Sequence, residues 1–167
     1  MAIAELLVPE FDMEMPVTRR VLERVPDARG KWKPHDKSFP MAHLAQLVAR
    51  MPAWFTMVAN EDEIDFAPKD GSRMPGYSIE TTATLLAEFD RNVAAAREAI
   101  AAVSDARFEE PWTIKRAEQV LQRMSRYQMM RSTINHLVHH RAQLGLYLRM
   151  SDVKVPSMYG PTADEGW

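Results

Sequence analysis

Asn135 to Arg149 reads NHLVHHRAQLGLYLR. Residues four apart on a helix share a face, so the imidazoles of His136 and His140 can turn toward one point. Met129, Thr133, Gln143 and Tyr147 extend that face at helical spacing, and beside it runs an apolar stripe of Met130, Ile134, Leu137, Leu144 and Leu148. The adjoining stripes place the histidines at the edge of a core, where a buried polar group needs a partner. Two readings follow: half of a metal site, or two histidines satisfied by hydrogen bonds to other side chains. His139 falls off the stripe, as a helix-contact or surface residue.

Working outward, the serine and glutamine of Ser125-Arg-Tyr-Gln128 form a capping box, so this last helix is expected over residues 125–150. Upstream, three more segments carry helical periodicity. The first spans residues 3–25, with Pro9 and Pro16 expected to bend or interrupt it and with Pro26 and Gly30 beyond its end. The second spans 39–60, with Ser38 as cap, Pro40 in the first turn and Pro52 distorting the last turns. Leu44, Leu47, Val48, Met51 and Phe55 form its inward face, with His43 and Trp54 close by. The third spans 79–103, capped by Ser78, with Leu85, Phe89, Val93, Ala96, Ile100 and Val103 at core spacing.

Residues 31–35, with His35 structural or solvated, read as an irregular link. Residues 61–77 read as an exposed connection with the length for a crossover. Residues 113–124 read either as a short helix or as a loop-and-ribbon excursion over the other helices. The tail from Ser151 is turn-rich and is expected to lie over them without a helix of its own. Four amphipathic helices of similar length imply an all-α four-helix bundle, with sites built from side chains that project inward.

The whole chain sets outer bounds. Its 167 residues, 46% hydrophobic, suit a single domain over 1–167. Lys+Arg 21 against Asp+Glu 23 gives a net charge of -2 with the signs interleaved, so nucleic-acid binding has no electrostatic support. No apolar run reaches membrane-spanning length, and Glu5, Glu10, Asp12 and Glu14 break the grammar of a secretory signal; a soluble cytoplasmic protein is the expectation. With no cysteine, any metal must be held by nitrogen or oxygen. The twelve methionines suit an adaptable core or an apolar pocket for a small-molecule ligand. No Ser-His-Asp order, phosphate loop or carboxylate pair stands out, so no catalytic residue is named.

The last-helix sequence NHLVHHRAQL (135–144) with YLR (147–149) resembles the signature of the DinB / YfiT-like proteins. So do PEFD (9–12), TRRVL (18–22), WKPH (32–35) and PSMYGPTADE (156–165). The likeness spans nearly the whole chain. It implies a four-helix bundle, a homodimer, and a divalent metal, zinc or nickel, held by three histidines: two from the last helix and one from the second. Better-studied members are metal-dependent hydrolases or transferases that use low-molecular-weight thiols, and the family name records induction after DNA damage in one member.

His136 and His140 match the last-helix ligands position for position. The third does not match: the family's LAxHVA reads LAQLVA at 44–49, with Leu47 in the ligand's place. The nearest imidazole, His43, lies one turn earlier, about 6 Å away along the axis. Metal–nitrogen bonds of about 2.0–2.1 Å do not span that gap, so His43 serves only if the helix slides or the metal moves. The family's HRGQ is HRAQ at 140–143, which adds a methyl at Ala142. The expected pocket is lined by Leu47, Trp54, Gln143 and Tyr147. Two readings remain: a degenerate bundle acting as a non-catalytic or weakly metal-binding dimer, and a divalent-metal-dependent hydrolase or thiol-dependent S-transferase.

Overall fold

A computed structural model describes residues 2–69, 71, 76–78 and 81–166. Four long helices carry the fold: α1 (Ile3–Leu22), α2 (Met41–Asn60), α3 (Thr82–Ala102) and α5 (Arg126–Met150), with a short α4 (Asp105–Glu109) after α3. The molecule is mostly helical but not all-α. Strand β1 (Glu63–Asp65) pairs in parallel with β2 (Pro111–Arg116), which forms an antiparallel hairpin with β3 (Gln119–Ser125). Residues 113–124 are thus a ribbon. Trp112, 1% exposed, fixes its base in the core, while most of β3 faces solvent.

Both α1 and α2 pack chiefly on α3 and α5, and hardly touch each other. The second and third helices are therefore direct neighbours. The connections that cross the helical group are the one after α1 and the one through α4 and the hairpin, not residues 61–77. Leu7, Phe11, Leu44, Met51, Phe55, Phe89, Ile100, Met130, Leu137 and Leu148 belong to one buried cluster. No helix among the described residues is long and apolar enough to cross a membrane.

Local chemistry explains where the ends differ from expectation. Helix α1 runs through Pro9 and Pro16, because both are exposed and the carbonyls they leave unpaired can reach water. It stops at Leu22, ahead of a 3-10 turn at Asp27–Arg29. Helix α2 begins at Met41 without a side-chain cap: Met41 and Ala42 donate their amides to the Trp32 carbonyl (2.8 Å) and the Gly30 carbonyl (3.0 Å), which leaves Ser38 no capping role. It continues through Pro52 to Asn60. Helix α3 is capped by Thr81, whose Oγ1 accepts from the Thr84 amide at 3.1 Å. Ser78 instead donates its amide to Gln46 Oε1 at 2.6 Å, and the expected helical positions 79–80 lie outside the described residues.

Helix α5 starts as the capping box requires, with Ser125 and Gln128 satisfying each other's amides. Next to it, the fully buried Arg126 donates to the carbonyls of Val58 and Glu61 and to Asp62, closing the C-terminal end of α2. The tail has no helix and is tied down by charge. Glu165 pairs with Arg20 and with Arg24 (2.8 Å), Asp164 pairs with Arg149, and Thr162 Oγ1 donates to the Val155 carbonyl at 2.8 Å.

Candidate metal centre

The register set by Ser125 brings His136 and His140 together, half-buried, with their Nε2 atoms 2.9 Å apart. Gln143 sits one turn further on, its Oε1 2.8 Å from His140 Nδ1. If Gln143 accepts there, the proton of His140 is on Nδ1 and its Nε2 lone pair faces His136. At 2.9 Å, two facing lone pairs repel, so either His136 donates an Nε2 proton or a cation lies between the rings. The Trp54 and His136 rings meet in a T-shaped pair, centroids 5.7 Å apart. The exposed His139 ring stands edge-on to His140 at 4.9 Å.

Burial lowers the proton affinity of both imidazoles below the ordinary value of 6.5, and the charges of His140 and His139 lower that of His136 further. For His140 the Gln143 hydrogen bond pulls the other way and His139 adds to the lowering. Both rings are accordingly neutral near pH 7, the state in which an imidazole binds a metal or accepts a proton.

The other expected residues lie as follows. Leu47 is 8% exposed and lines a cleft with Trp54. His43 stands apart from the pair, stacked between Phe39 (4.3 Å) and Tyr77 (3.9 Å). Tyr147 is buried with the edge of Trp32 at 5.4 Å, and Gln143 is exposed except for its bond to His140. His35 is exposed and accepts the Lys37 amide at 3.1 Å. Ala142 is exposed, so its methyl crowds no backbone.

Two nitrogen donors fall short of the three protein ligands that a catalytic zinc site uses beside its open position. Among the described residues, no group of three His, Cys, Asp or Glu stands together. The residues present do not fit a resident catalytic ion.

Beside the pair is a buried ionic network that the sequence reading missed. Arg141, 1% exposed, pairs with Glu14 at 2.7 Å and donates to Thr18 Oγ1 at 3.0 Å and to the Tyr159 hydroxyl at 2.8 Å; Tyr159 in turn donates to Glu14 at 2.7 Å. The signal was in the spacing. Arg141 fills the gap between Leu137 and Leu144 in the apolar stripe of α5, and Glu14 and Thr18 continue the row Leu7, Phe11 on α1. A charge at a core position implies a partner across the interface. The network joins α1, α5 and the tail.

Comparison with known proteins agrees with this fold. The DinB superfamily model matches residues 10–144, and the chain belongs to that superfamily. Among solved structures it is similar to a DinB-like protein from Bacillus cereus ATCC 10987, at 17% identity and TM-score 0.68 over 93% of this chain and 97% of that one. It is also similar to the DinB-like protein YjoA from Bacillus subtilis, at 16% identity and TM-score 0.66 over 90% of this chain and 95% of that one. At these identities the likeness is one of fold. Among curated proteins, none matches the chain.

Proposed function

We propose that this protein is a DinB-type four-helix bundle whose metal centre has been reduced to two histidines, and that it works as a homodimeric, non-catalytic or weakly metal-binding protein. The observation that carries this reading is the pairing of His136 and His140 with each other, their Nε2 atoms 2.9 Å apart and no third donor beside them among the described residues. A proton can hold such a pair without an ion. Leu47, where the family pattern has a ligand, offers only dispersion contacts. The exposed side chains of Leu6 and Met13 on α1 and of Leu146 and Met150 on α5 supply apolar surface suited to a second copy.

A second reading has one feature in its favour. Two neutral, half-buried imidazoles aimed at one point are a good bidentate start for zinc or nickel, and water or an external carboxylate or thiol could complete the set for a hydrolase or S-transferase. Elemental analysis of protein purified without chelator separates the two. Metal well below one equivalent per chain is expected, and stoichiometric zinc or nickel would overturn the degenerate reading. Light scattering checks the dimer.

A further inference from the structure

On the outer side of α2, between α3 and the connection that follows α2, a cleft of about 750 Å³ opens to solvent. It adjoins the histidine pair through Trp54, which lines the cleft and stands T-shaped to the His136 ring at 5.7 Å, and neither histidine is among its lining residues. The cleft's size falls within the range of about 300–1,000 Å³ typical of small-molecule sites. Leu47, Trp54, Met57, Phe66 and Tyr77 make its walls mostly apolar. Phe66 stands 43% exposed at its rim, an aromatic surface left in water where a ligand would cover it.

The polar groups narrow the ligand class. The charges within the cleft neutralise one another: Arg50 Nε donates to Glu88 at 2.7 Å, and Gln46 donates to the other carboxylate oxygen at 3.4 Å. Arg50 also donates to the Gly76 carbonyl at 2.9 Å and lies over the Tyr77 ring at 5.5 Å, so the face of that ring already has its cation. An anion would find the guanidinium engaged, and an organic cation would find both the carboxylate and the ring engaged. Two groups remain. Asn92 donates to the Ala49 carbonyl at 3.1 Å while its Oδ1 accepts from no described residue, and the Trp54 indole N–H donates to none. Together they offer one acceptor and one donor to a ligand with a single polar group.

We propose that this cleft binds an uncharged, largely aromatic or aliphatic molecule that lies against Trp54, Met57 and Phe66 and turns one hydrogen-bonding group toward Asn92. This site needs no metal and does not rest on the state of the histidines.

The test uses a matched pair of fluorophores on the full chain after chelator treatment: N-phenyl-1-naphthylamine, which is neutral, and 1-anilinonaphthalene-8-sulfonate, which adds a sulfonate to nearly the same body. The neutral dye should bind saturably at one site per chain and at least about tenfold more tightly than the sulfonate. Ala53→Trp, which fills the cleft from α2, should weaken the neutral dye by about tenfold or more, and Phe66→Ser at the exposed rim by a few-fold. Circular dichroism checks that each variant is folded; if Ala53→Trp is not, Phe66→Ser decides. No saturable binding of the neutral dye, equal affinity for both dyes, or binding unchanged in the folded variants would each overturn the proposal. Because the protein is metal-free throughout, these outcomes are independent of the metal content measured above.

Discussion

His136 and His140 approach each other so closely, Nε2 to Nε2 at 2.9 Å, that a shared proton or a cation has to sit between the two rings. The cysteine-free chain offers them no thiolate, and the position of the family's third ligand holds Leu47. What the pair does therefore depends on its own protonation and on its neighbours Gln143, Trp54 and His139.

Acid should weaken the fold through these rings. Burial holds His136, His140 and His43 below the ordinary value of 6.5, whereas the unfolded chain keeps that value. Between the depressed values and 6.5 the unfolded state binds more protons, so stability is fully present above that window and falls as the pH falls through it. The melting temperature should drop from about pH 7.5 to about pH 5.5, a range that lies above ordinary carboxylate titration. A His136→Gln/His140→Gln variant should flatten most of that slope, with His43 leaving a residue of it. A slope unchanged in the double variant would show that the pair is not the source.

The network around Arg141 should dominate local stability. Arg141→Met leaves the Glu14 carboxylate buried without its cation, and a loss of about 3–5 kcal/mol in urea denaturation is expected. Adding Glu14→Gln should recover part of it, because the uncompensated charge is then gone. Tyr159→Phe removes hydrogen bonds without stranding a charge and should cost about 1 kcal/mol. A cost for Arg141→Met below that of Tyr159→Phe would mean that the ion pair contributes little.

Gly145 should tolerate alanine. A methyl there would meet Met158 Cε at 3.2 Å, the far end of a flexible side chain that can yield by a few tenths of an ångström. The helix propensity gained is about 1 kcal/mol, so Gly145→Ala should be neutral or stabilising. A clear drop in midpoint would show that Met158 is held rigidly by the tail.

How much of this was legible in the sequence depends on which force fixed each element. Helix α5 was, because Ser125 and Gln128 cap it locally and the apolar stripe sets its register. The hairpin was legible only as one of two alternatives: its turn at Ala117, with φ 52, carries neither Gly nor Asn, and residues such as Lys115, Arg116, Gln122 and Arg123 give it no alternating apolar face. The start of α2 escaped for a different reason, since its first amides are satisfied by carbonyls of Gly30 and Trp32, a backbone contact that no side-chain pattern records. At the site, residue spacing brought out the histidine pair. It also contained Arg141 and Glu14, whose place in the apolar rows was visible and whose pairing across helices was not.

The most direct measurement is the zinc affinity of the natural chain against that of Leu47→His, by equilibrium competition with a chromophoric chelator and with folding checked by circular dichroism. Weak, substoichiometric binding is expected for the natural chain and tight binding of one equivalent for the variant, in which α2 regains the donor that the family pattern places there. Tight stoichiometric zinc in the natural chain, matched by the variant, would contradict the degenerate reading.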